Sequence, residues 1–180
     1  MNDDAATKPL FRYKCGSCDL WHEGSPSFAF DCPYHYSVLP EDCQKNYARL
    51  DTDFCIIDHP EGNGPDYFVR GTVEIPIHGY AEGFLWGVWV SLSADNFRHY
   101  RDMPDNGFAP DTTYFGWFCN RLEGYPDTLH LKCHVHPQEN RRPLIVPGPS
   151  DHPFSLHFHQ GITPEEAVAL AQRLTHGKLQ

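Results

Sequence analysis

The sequence predicts an α+β fold: a mainly antiparallel twisted sheet, a C-terminal helix and an N-terminal segment resembling a zinc knuckle. Three observations carry this prediction. Short apolar runs of strand length outnumber helical ones and do not alternate with them, which disfavours a βαβ arrangement. Thr163, Pro164 and Glu166 form a helix-opening capping box near the end of the chain. Cys15 and Cys18 stand at C-x-x-C spacing, with His22 close behind.

In chain order, residues 1–9 read as a disordered tail and residues 10–180 as a single domain, of which 10–58 contain the knuckle. Pro40 to Leu50 predicts a short helix opened by Pro40, and Asp53 to Asp58 a short strand. His59 to Asp66 is a loop on its Gly and Pro content. Tyr67 to Ile77 predicts one or two strands, broken near Gly71. Gly83 to Leu92 is the clearest strand. Phe84, Trp86, Val88, Val90 and Leu92 share one face, and Leu85 and Trp89 the other, so it should be covered on both sides. Ser93 caps a helix over Ala94 to Asp102, and Met103 to Thr113 is a loop. Tyr114 to Cys119 is a strand, followed by a turn at Gly124 to Asp127. Thr128 to His136 alternates, with Leu129, Leu131, Cys133 and Val135 inward and His130, Lys132, His134 and His136 outward. Pro143 to Val146 and Phe154 to His159 are further short strands. Ala167, Leu170, Ala171 and Leu174 then form the apolar stripe of the last helix, which Gly177 ends.

Composition narrows the function classes. The net charge of −10 repels phosphate backbones, and Arg141 and Arg142 are only a pair, so neither nucleic acid nor an anionic membrane surface is an expected partner. No apolar run reaches membrane-spanning length, and the acidic start MNDDAATKPL lacks the apolar core of a signal peptide. A soluble, cytoplasmic protein is therefore expected. Its seven cysteines, an odd number, should be thiols or metal ligands, not a disulfide framework. No nucleotide-binding glycine motif and no G-x-S-x-G is present.

The segments CGSCDLWHEGSP, LDTDFCIID, FLWGVWVSLSADNF and GYPDTLHLKCHVH, together with others between Cys15 and Thr163, resemble the bacterial family called domain of unknown function 2199. The resemblance implies a shared fold, a C-x-x-C-x-x-x-H knuckle here formed by Cys15, Cys18 and His22, and a further family cysteine at Cys55. It implies no activity. The chain departs from the family pattern at Asp19, where glycine is usual, and in the extra Cys32 and Cys43.

Zinc takes four thiolate or imidazole ligands in a tetrahedron. Two thiolates at C-x-x-C spacing reach one ion within a tight turn, which Gly16 eases, and His22 follows soon enough to be the third ligand. Cys55 is the expected fourth, on the resemblance and because a short buried strand would hold it rigidly. Cys32 and Cys43 are the alternatives. One structural Zn²⁺ per chain follows, with Arg12 and Lys14 near enough in sequence to offset its net negative charge. Two rival readings of the C-x-x-C remain: ordinary buried thiols, or a redox pair. The second needs a helix opening at the motif, and DLWHEGSP does not propagate one.

His134-x-His136 and His157-x-His159 each put two imidazoles on one face of a strand, with Asp151 and His152 just before the second pair. If those strands paired, the four could hold a second metal and activate water. Lys132 on the same face favours a merely solvated surface. Arg70, with Asp53 or Asp58, reads as a structural ion pair, and Trp86, Trp89 and Trp117 as core. The reading that results is a non-catalytic binding or interaction module stabilised by zinc, its partner unknown, with a protein as the candidate. The alternative is a metal-dependent hydrolase using the histidine face.

Overall fold

The computed structural model describes residues 9–16, 18–62, 64–103 and 111–176. Residues 1–8 of the expected tail, most of the 103–113 loop and the helix stop at Gly177 lie outside the described residues. No helix among those described is long and apolar enough to cross a membrane.

The chain opens with a two-stranded antiparallel sheet, β1 (Arg12–Lys14) and β2 (Trp21–Glu23). Next come β3 (Ser27–Ala29), α1 (Tyr34–Ser37), α2 (Glu41–Tyr47), β4 (Ala48–Leu50) and β5 (Phe54–Ile57). The central elements are β6 (Asp66–Ile75), β7 (Phe84–Leu92), α3 (Ala94–Arg101), β8 (Tyr114–Phe118), β9 (Lys132–Gln138) and β10 (Arg141–Pro147). The chain ends in α4 (Pro153–Gln160) and α5 (Pro164–His176).

The main sheet is a closed mixed barrel: most of its pairings are antiparallel, as expected, but the closure and the parallel pairings of β3 and β10 correct the simple antiparallel twisted sheet that the sequence predicts. Strands β6, β7, β8, β9 and β10 pair antiparallel in succession, and β10 returns to pair parallel with β6 at Leu144 and Thr72. Strand β3 adds in parallel beside the first half of β7, and β5 and β4 extend from the first half of β6. Gly71 explains both the closure and a second correction. The strand does not break there; it runs unbroken from Asp66 to Ile75. A Cβ at Gly71 would stand 2.6 Å from the Ile145 side chain and 2.8 Å from the Pro143 carbonyl oxygen. The glycine is where β10 comes close enough to close the ring.

Alternation fills the barrel. Val69, Val73 and Ile75 of β6 face Val90, Trp86 and Phe84 of β7, and Phe118, Val135 and Ile145 complete the same buried cluster. The opposite face of β6 and β7 carries a second cluster of Cys55, Ile57, Phe68, Trp89 and Cys119, with Tyr36, Leu39 and Ala48 packed against it. Strand β7 is thus covered on both sides, as its sequence predicts.

Helix starts follow their local signals. The Ser93 side chain accepts from the Asn96 N–H, and Thr163 and Glu166 close a reciprocal capping box. Ala167, Ala171 and Leu174 are buried along one stripe of α5. Phe154 to His159 is helical, not the expected strand. His152 accepts from the Phe154 N–H through its side chain, Pro153 sits in the first turn, and Gly161 at φ 80° ends the helix. Phe154 and Phe158 lie one helical turn apart, and both contribute to the main core. The strand expected over Thr128 to His136 also starts later: residues 129–130 turn, with His130 at φ 61°, and β9 begins at Lys132.

Candidate metal centre

The knuckle is built on the β1–β2 hairpin. The Cys15 N–H donates to the Leu20 carbonyl at 2.8 Å, and the Asp19 N–H returns to the Cys15 carbonyl at 3.0 Å. These two bonds fold the loop back on itself. Asp19 takes the left-handed conformation, φ 57°, a backbone region that suits glycine. Its carboxylate lies 2.6 Å from Lys14 Nζ. An Asp tolerates this backbone region better than most residues.

The consequence is a cluster of three donors. The Cys15 and Cys18 thiols and a His22 ring nitrogen offer ligand atoms that all lie within 4.8 Å of one another. Cys18 Sγ stands 3.3 Å from His22 Nε2. Tetrahedral zinc with ordinary bond lengths puts sulfur and nitrogen ligands about 3.6 Å apart, so the Cys18 and His22 donors stand near the spacing such an ion takes. Cys15 is fully buried, while Cys18 and His22 are half-buried.

The surroundings orient His22. It pairs across the hairpin with Tyr13, and the two rings stack at 5.2 Å. Burial pushes the Tyr13 pKa up, with Thr175 of α5 opposing. A Cβ at Gly16 would meet Gln172 of the same helix at 3.6 Å. Phe11 anchors the strand edge-on against Tyr80 at 5.1 Å. The knuckle therefore bridges the hairpin and the C-terminal helix. Neither Tyr13 nor Thr175 stands out in the sequence; only the position of Tyr13, just before Cys15 on a short strand, hints at its role.

Cys55 is not a member of the three-donor group. It lies in β5 within the second apolar cluster, where burial, with Cys32, Asp51 and Cys119 nearby, pushes its thiol up to about 12. Cys32 and Cys43 are not members either; the Cys32 carbonyl accepts a hydrogen bond from Asn120, and Cys43 sits on α2. Of the two basic residues expected to offset charge, Lys14 is engaged by Asp19, and Arg12 lies over the Trp21 ring at 5.5 Å.

The four-histidine face does not form, because α4 is a helix. His134 and His136 stay together on β9, their rings 6.5 Å apart. His157 hydrogen-bonds with the Tyr125 hydroxyl at 3.1 Å, and His159 Nε2 lies 2.9 Å from the Pro147 carbonyl. His152 is occupied as the helix cap. Among the described residues, Cys15, Cys18 and His22 are the group suited to hold a metal ion. Arg70 pairs with neither expected aspartate. It lies over Trp89 at 5.9 Å and reaches the Thr52 carbonyl, while Asp53 pairs with Arg142 and Asp58 with Arg49. Trp117, expected in the core, is 40% exposed.

Together these features define an α+β barrel protein with a Cys₂His cluster on an N-terminal hairpin. The chain belongs to the family of uncharacterised proteins conserved in bacteria known as domain of unknown function 2199, which it matches over residues 14–162. No curated protein and no solved structure matches it.

Proposed function

We propose that Cys15, Cys18 and His22 hold one zinc ion, that this zinc is structural, and that the protein is a non-catalytic binding module. The observation that supports zinc is the convergence of two thiols and an imidazole within 4.8 Å on a loop whose backbone is already closed. Support for a structural role comes from the setting. The cluster lies where the hairpin meets α5, so binding an ion there resists separation of the two. The hydrolase alternative loses its basis with the four-histidine face, since His157 and His159 stand on α4 and not on a strand beside His134 and His136.

Metal analysis of variants tests the proposal. Protein purified without added metal should carry about one zinc per chain. Cys15→Ser and His22→Gln should each lose most of it and melt at lower temperature. Cys55→Ser should keep its zinc and lose stability only through the second apolar cluster. A Cys15→Ser protein that retains stoichiometric zinc contradicts the assignment. Loss of zinc from Cys55→Ser would bring that cysteine back as the fourth ligand.

A further inference from the structure

On the outer face of the barrel, three neighbouring strands place side chains in one row. Phe68 of β6 pairs with Ser91 of β7, and Ser91 pairs with Trp117 of β8. Asp66 stands two residues before Phe68, and Cys119 two residues after Trp117, so both share this face. Alternation along a strand accounts for the row. Two histidines from outside the strands then wall it. His35 of α1 packs on Phe68 at 5.3 Å, and His130 meets His35 edge-on at 5.6 Å. The open pocket between them has a volume of about 320 Å³. That suffices for a substituted six-membered ring.

The walls are held in place independently of any ligand. The end of β8 fixes both histidine segments: the Tyr34 N–H donates to the Cys119 carbonyl, and the His130 N–H to the Phe118 carbonyl, each at 2.8 Å. Behind them, buried Asn120 accepts from the Trp89 N–H at 2.6 Å and donates to the Cys32 carbonyl at 3.0 Å. Buried Thr128 donates to the Asn120 carbonyl at 2.6 Å and accepts from the Leu122 N–H. This network joins the segment leading into α1 to the loop that carries His130. His130 itself is held at φ 61°, a conformation that side-chain-bearing residues seldom adopt without a reason. Such locked walls are what a binding pocket needs and a solvated surface does not.

Chemistry selects the ligand. His35 Nδ1 is buried and has no hydrogen-bond partner among the described residues. Burial lowers the pKa of this imidazole, with Asp66 opposing and His130 adding to the effect. The carboxylate at the mouth is Asp66, with His59 Nε2 2.9 Å away on its outer side. Phe68, Trp117 and His130 supply aromatic faces and edges. A planar cation with N–H donors suits the carboxylate and the aromatic lining: it donates to and offsets the one and lies against the other. An anion would meet Asp66 and no opposing cation among the residues lining the pocket.

We propose that this pocket is the ligand site of the binding module and that it takes a small planar cation of the amidine or amino-heterocycle type. The proposal rests on the binding-module reading but not on zinc. The test uses two probes of one shape and opposite charge, benzamidine and benzoate, titrated calorimetrically into the full-length protein. Benzamidine should bind saturably, with benzoate weaker by roughly tenfold or more, the scale of one charge-assisted contact. Asp66→Asn should weaken benzamidine by a similar factor, and Trp117→Ala should weaken it as well. Both residues are exposed, so both variants should fold, and both should keep the zinc content of the parent. Failure of benzamidine to bind, equal binding of benzoate, or binding untouched by Asp66→Asn overturns the proposal. Loss of zinc from Cys15→Ser, or its retention, leaves these outcomes unchanged and bears only on the metal assignment.

Discussion

Asp19 concentrates the residue-scale physics of the knuckle. Its φ of 57° suits glycine, and its ion pair with Lys14 joins two side chains that are 85% and 53% exposed, a geometry that contributes little in water. Asp19→Gly should therefore be nearly neutral for stability, whereas Asp19→Val should lose about 1–2 kcal/mol, because a β-branched residue is strained at positive φ. Thermal unfolding of the two variants checks this. A glycine variant as unstable as the valine one would mean that the carboxylate, not the backbone, holds the turn. A second residue-scale consequence concerns protons. Burial lowers the pKa of His35, and of His136, where His134 adds to the effect. The unfolded chain takes up these protons near a pH of about 6.5, while the native state resists until lower pH. Between those values the unfolded state holds more protons, so stability present above a pH of about 6.5 is lost as pH falls toward the native values. Melting temperature should fall on acidification through about pH 7.5 to 5.5, and a His35→Gln, His136→Gln protein should show a shallower fall. An equal slope in both proteins would mean that other groups set the pH dependence.

At the scale of elements, what is legible in the sequence depends on how far apart the deciding atoms lie. The caps at Ser93 and at Thr163 with Glu166 each close within one helical turn, and both helices start where those residues say. The knuckle is legible for the same reason, since Cys15, Cys18 and His22 span one hairpin. Residues 154–159 are not. Phe154, Leu156 and Phe158 fit a strand's period of two, while Phe154 and Phe158 also fit a helical turn; the His152 cap and the burial of Phe154 and Ser155 decide it. The contact between β10 and β6 has no local signal at all. A glycine such as Gly71 looks the same in sequence whether a strand ends or another strand approaches. Gly71→Ala should cost about 1–3 kcal/mol, through overpacking against Ile145 and the Pro143 carbonyl. At this chain length that is roughly 2–4 °C of melting temperature per kcal/mol. Adding Ile145→Val removes one of the clashing carbons and should restore part of the loss. A Gly71→Ala protein as stable as the parent would show that the ring closes with room to spare.

For the whole molecule, the barrel and the knuckle share one core: Phe11, Tyr13 and Cys15 belong to the same buried cluster as Val69 to Ile145. The hairpin is small; it is held by Phe11 and Tyr13, by its contact with α5 and, as proposed above, by zinc. The pocket with His35 and His130 sits on the barrel's outer face and depends on Asn120 and Thr128, not on the knuckle. Its lining residues come from separate stretches of chain and meet only through strand pairing, so the site has no sequence motif. Cys55 has no local signal either: its place in a family segment suggests a ligand, and the second apolar cluster is where β5 carries it. The most direct measurement of zinc in the knuckle is thiol alkylation with and without a strong chelator, on protein whose zinc content is known. A zinc-closed knuckle should give about one zinc per chain, slow labelling of Cys15 and Cys18 until the chelator is added, then fast labelling of Cys18 with a lower melting temperature. Protein that is folded and free of metal, with Cys18 labelled equally fast with or without chelator, would contradict it.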